Sequence, residues 1–119
     1  MTVLAVLPGK TPERMELDGS LESMQKFVGG TIQAVYPFSD PVAIVCNDEG
    51  KLLGLEYNRA LREEQGKIYD ILCGTFFICG LGEENFASLP EMLLQKYIQL
   101  FQHPELFLRV GNSLMVVPF

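Results

Sequence analysis

Apolar residues fall along this chain in short runs of two different periods, separated by polar turn signals. Residues 3–7 are nearly all apolar and close on Pro8-Gly9, the pattern of a buried strand ended by a turn. Residues 10–18 are polar around a Met15/Leu17 alternation and read as a second strand hairpinned onto the first, or as an extended loop. Asp18 or Ser20 supplies a helix cap; Leu21, Met24, Phe27 and Val28 then share one helical face and Gly29-Gly30 ends it. Residues 31–38 alternate as a half-buried strand, whereas 42–46 are apolar at every position, as in a strand covered on both faces. Asn47-Asp48-Glu49-Gly50 is a turn of the type that joins hairpin strands, and residues 58–62 read as a short helical turn.

The second half follows the same logic. The longest apolar stretch, 68–81, is divided by Gly74-Thr75 into strands at 68–72 and 76–79. Ser88 and Pro90 open a helix whose stripe is Leu93, Leu94, Tyr97, Ile98 and Phe101, and His103-Pro104 stops it. Residues 107–110 and 114–117 form a terminal hairpin about Gly111-Asn112-Ser113. These elements predict an α+β fold: a single domain, 1–119, with a mostly antiparallel sheet and two helices packed on it.

Charge narrows the partners. Nine Lys and Arg against fifteen Asp and Glu give −6, which opposes direct binding to a nucleic-acid backbone. A single small anionic ligand stays admissible, since a few backbone N–H groups and one Arg suffice for a phosphate. Cys46, Cys73 and Cys79 are odd in number and set among apolar residues, as in a reducing compartment. With no stretch of membrane-spanning length, the expected location is the cytoplasm of whatever cell hosts the protein, without membrane partners.

Asn58 and Arg59 form the first candidate ligand site. An Asn amide can read a base edge, and a guanidinium holds a phosphate through paired bonds. The competing explanation is local: Asn58 caps a turn of helix and Arg59 pairs with Glu56 or Glu63. Gly74 and Thr75 offer backbone N–H groups and a hydroxyl, or simply bend a sheet; Tyr36 and Tyr69 offer stacking rings, or edge packing. Gly29-Gly30 follows a helix instead of opening one, which suits helix closure better than anion binding. No residues are assigned to catalysis, a metal or a cofactor. The lone His103 sits in a helix tail, Cys73 and Cys79 are six apart, and the carboxylates lie in loops.

Val28-Gly29-Gly30 leading into Thr31-Ile32-Gln33, the stretch from Asn47 through Gly50 to Gly54, Leu55, Asn58 and Arg59, and Ile71, Gly74, Thr75 and Phe77 carry a family likeness. Over roughly residues 1–110 the chain resembles small proteins of bacteriophages and conjugative elements of Gram-positive bacteria, catalogued as a domain of unknown function. The resemblance implies a setting and no chemistry: counter-defence, by sequestering a nucleotide-type signal or by gripping a host protein. The leading expectation is therefore a non-catalytic binding protein for a small anionic ligand, with an acidic inhibitor of a host enzyme second and a small enzyme third. The apolar end, 115–119, further suggests a homodimer edge.

Overall fold

In the computed structural model, which describes residues 1–118, two strands explain why the rest assembles as it does. Strand β4 (Val42–Asn47) is buried at all six positions, and β7 (Phe76–Leu81) at its first five. Their side chains alternate between two cores. Val42, Ile44, Phe76 and Ile78 face one; Ala43, Val45, Phe77 and Cys79 face the other. A strand covered on both faces needs no polar alternation, which is why both segments are continuous apolar runs in the sequence.

Around this pair the chain builds an antiparallel sheet. Strand β1 (Thr2–Val6) joins β7, β2 (Glu13–Glu16) flanks β1, and β3 (Ile32–Val35) flanks β4, giving the order β2-β1-β7-β4-β3. Short β8 (Phe86–Ala87) pairs with β7. Helix α1 (Leu21–Val28) is capped by the Ser20 hydroxyl, which accepts from Ser23 N–H at 3.2 Å, and it closes on Gly29 at φ +81°. Its Met24 and Val28 lie in one core with Val3, Val45 and Phe77. Helix α2 (Glu91–Leu100) starts after Pro90, and its Leu94 and Tyr97, with Phe101, lie in the other core with Leu4, Val6 and Ile44.

Two ribbons stand apart from this sheet. Strands β5 (Tyr57–Arg62) and β6 (Ile68–Cys73) pair only with each other, as do β9 (Glu105–Val110) and β10 (Ser113–Pro118). The architecture is thus α+β, with mostly antiparallel strands and two helices.

Two local expectations are corrected. Residues 58–62 are strand, not a helical turn, because pairing with the apolar β6 supplies their backbone partners; their inward positions carry Asn58 and Arg59, which hides the apolar alternation. Asn47-Asp48-Glu49-Gly50 is a turn, yet it joins no hairpin: β4 pairs with β3 and β7, and residues 48–54 wind outward to the β5–β6 ribbon. Phe119, part of the apolar end proposed as a dimer edge, lies outside the described residues.

Candidate functional site

Asn58 is 0% exposed and Arg59 1% exposed, so both candidate ligand residues are interior. The Asn58 amide donates to the carbonyls of Val6 at 2.9 Å and Gly74 at 2.8 Å, tying β5 to β1 and to the β6–β7 bend. Arg59 Nε and Nη2 donate to Phe101 O, Nη2 also to Lys10 O at 2.7 Å, and Nη1 to the backbone and side-chain oxygens of Asn58. A guanidinium has five N–H donors, and these five bonds use them all. Nothing is left with which to grip a phosphate. The pair is a structural node that joins four chain segments, and neither the ligand assignment nor the local alternative, a helix cap with a Glu56 or Glu63 partner, describes it.

The node holds a buried cation without a contacting carboxylate. Burial pulls the guanidinium below its ordinary pKa, and the charge of Glu105 opposes that shift. Phe101 caps the C-terminus of α2, where the helix dipole presents its negative end, so its carbonyl is a suitable acceptor for a cation.

Gly74 has φ +85°, and a Cβ there would meet Leu55 Cδ1 at 2.8 Å. Its N–H donates to Glu56 O and its carbonyl accepts from Asn58, so this glycine serves the bend, with half-buried Thr75 beside it. Tyr36 is 60% exposed and lines a groove beside α1 and the β7–β8 turn, apart from the other candidates.

Tyr69 and the inner arginine, Arg59, meet at one cavity. Both line a cleft of about 440 Å³ between the end of α2, the β3–β4 connection and the two ribbons. The volume suits a small organic ligand. Phe38, Leu61, Leu100 and Phe101 make its apolar surface, and Arg59, Arg62, His103 and Glu105 supply its charged and titratable groups. Glu105 braces the cleft: one carboxylate oxygen accepts from Ala60 N–H at 2.8 Å and the other from Arg62 at 2.5 Å. Next to the cleft residue Phe38, which packs on the Tyr97 ring, Asp40 accepts from Lys96 at 2.6 Å and from the buried Tyr97 hydroxyl at 2.5 Å. The Lys96 and Tyr97 bonds hold the Asp40 carboxyl below the usual carboxylate range.

Sequence reasoning missed Arg62, Glu105 and His103 as cleft residues. Arg62 follows a register irregularity in β5, and Glu105 reaches it from 43 positions away; neither feature has a signal in the sequence. His103 was visible, but only as the residue that stops a helix.

The three cysteines are buried. Burial pushes the Cys46 thiol up to about 11 and the Cys79 thiol up to about 12, which keeps both protonated and inert at neutral pH. Among the described residues no three His, Cys, Asp or Glu side chains gather as metal ligands, and no helix is long and apolar enough to cross a membrane. No curated protein and no solved structure matches the chain. A family model does match, over residues 1–102, which include both helices and the whole central sheet: the chain belongs to the DUF3846 family, a domain of unknown function.

Proposed function

We propose that this is a non-catalytic binding protein that sequesters a small anionic ligand of nucleotide type in the cleft beside α2. One observation carries the reading: in a chain of net charge −6, the cleft collects two arginines, Arg59 and Arg62, against a single carboxylate, Glu105. Local charge there opposes the charge of the whole. Arg62 exchanges Glu105 for a phosphate, Tyr69 stacks on a base, and Arg59 contributes a fixed positive charge from within the wall, all its donors being engaged. Sequestration needs affinity and no turnover, so a cleft with apolar walls and a few polar groups is sufficient. A setting in a phage or conjugative element, with the protein acting in the host cytoplasm against a defence signal, agrees with the family resemblance and belongs to this proposal.

Native mass spectrometry of protein purified from its host, followed by denaturation, tests it. The expected result is a released nucleotide-type anion that is absent from Arg62→Ala and Tyr69→Ala proteins of unchanged fold. Recovery of empty protein that also binds nothing from a panel of nucleotides would overturn the reading.

A second reading, an acidic inhibitor of a host enzyme, is favoured by the exposed pairs Asp48-Glu49, Glu63-Glu64 and Glu83-Glu84. Long-range attraction of such loops to a basic site makes complex formation fall steeply with salt. A host protein captured at low salt and released at high salt, with the cleft variants behaving as wild type, would promote it.

A further inference from the structure

The terminal ribbon has two faces of different character. Directly opposed residues of antiparallel strands point to the same side, so the pairs Leu106–Val117, Leu108–Met115 and Val110–Ser113 share one face. The other face turns towards the body: Phe107 packs on Tyr57 with ring centroids 5.2 Å apart, and Glu105 bonds to Ala60 and Arg62. On the outward face Leu106, Leu108, Val110 and Met115 are each 42–55% exposed, beside half-buried Val117. No charged residue interrupts it.

We infer that this face is where two copies of the chain meet, ribbon on ribbon about a two-fold axis. A two-stranded ribbon is marginal alone, and this one leaves a face of aliphatic and thioether side chains open opposite the face that packs on the body. The body covers one side; the second side asks for an apolar layer of similar shape. Each chain carries −6, so copies repel unless they meet where charge is absent, and this face is such a place. Apart from the Ser113 hydroxyl it offers a partner only apolar side chains, a composition closer to contacts between copies of one chain than to those between transient partners. Five partly exposed aliphatic and thioether side chains make a patch of roughly 300–400 Å², comparable with the largest on a typical monomer. On each partner it covers about half of the roughly 800 Å² a side of a standard interface, as its apolar centre, with the ribbon margins as its rim. The ribbon also lies beyond residue 102, where the family match ends, so dimerisation here is a property added to the family domain.

Sedimentation velocity over a concentration series tests this with the full chain. The wild type is expected to be a dimer that dissociates on dilution, and Leu108→Glu, at the middle of the face, to weaken it by at least about 100-fold. Circular dichroism should stay at wild-type values and the thermal midpoint should match that of wild type diluted to monomer, separating lost association from lost folding. Mixing Leu108→Glu with Leu108→Lys protein should restore dimers of mixed composition, which only a copy-to-copy contact near the axis does. A wild type that stays monomeric at the highest concentration, or a dimer indifferent to Leu108→Glu, overturns the inference; the first outcome would leave the face to a different protein.

Discussion

Arg59 and Arg62 lie three positions apart on β5 and meet opposite surroundings. Arg59 is 1% exposed and gives all five donors to oxygens of its own chain. The Arg62 side chain is 38% exposed, and its partner is one carboxylate, Glu105. The difference separates an arginine that builds a fold from one that can hold a ligand. Carbonyls fixed in the backbone cannot leave, so the Arg59 bonds are permanent; a carboxylate at the edge of a cleft can be replaced by another anion at small cost. Residue type is the same in both places, and only the inventory of acceptors tells them apart.

Truncating Arg59 should therefore be the most damaging change. In Arg59→Ala the carbonyls of Lys10 and Phe101 and both oxygens of Asn58 lose a donor inside the protein. A loss of about 3–5 kcal/mol is expected by urea denaturation, in the range seen when a buried charge network is broken. Arg59→Lys should recover only part of it, because three mobile donors cannot replace five in a fixed plane. An Arg59→Ala protein as stable as wild type but unable to bind ligand would reverse the roles assigned to the two arginines. Asn58→Ala comes next, at about 2–3 kcal/mol, since it leaves Val6 O and Gly74 O without the amide and removes one acceptor from Arg59. If double-mutant cycles showed Asn58 and Arg59 to be additive, the two would not form one node.

These two residues also show how far the sequence could be read. The apolar runs at 42–46 and 76–79, the helix stripes and the terminal hairpin declare their environment through periodicity, and they fold as that periodicity implies. Strand β5 was missed because two of its buried positions are polar. Asn58 and Arg59 stood out for their hydrogen-bonding capacity, but a sequence displays donors without naming acceptors. Theirs include the carbonyls of Val6 and Phe101, 52 and 42 positions away. The cleft was legible only through Tyr69 and Arg59, because Arg62 and Glu105 are joined by ribbons whose approach depends on the folded sheet between them.

The β6–β7 bend serves the Arg59 node and gives a third test. Gly74→Ala forces an L residue to φ +85° and drives its Cβ against Leu55, so a loss of about 1–3 kcal/mol is expected in the same denaturation assay. A neutral result would mean that the bend relaxes without disturbing Asn58. The Asp40 bonds to Lys96 and Tyr97 add a pH dependence. Because the folded pKa of Asp40 lies below its ordinary value, it contributes stability above about pH 4, which is lost as pH falls through the lowered value. Wild type should thus lose part of its urea midpoint in acid that Asp40→Asn, already lacking it at neutral pH, has not to lose. Equal acid sensitivity in both proteins would remove Asp40 from the account.

Arg62→Ala should change stability least. Its bond to Glu105 is a partly exposed ion pair, of a kind that contributes up to about 1 kcal/mol, and Glu105 keeps its bond to Ala60 N–H when Arg62 is gone. The urea midpoint is therefore expected to stay close to wild type, unlike that of Arg59→Ala. Titration with a nucleotide recovered from the native protein should show the contrary order: affinity falls by about tenfold or more in Arg62→Ala, the scale of one charge-assisted bond to phosphate. Arg62→Lys, which keeps the charge but not the paired donors, should fall between the two. If Arg62→Ala bound as tightly as wild type, the exposed arginine would be as structural as its neighbour, and the ligand reading of the cleft would lose the residue on which it depends.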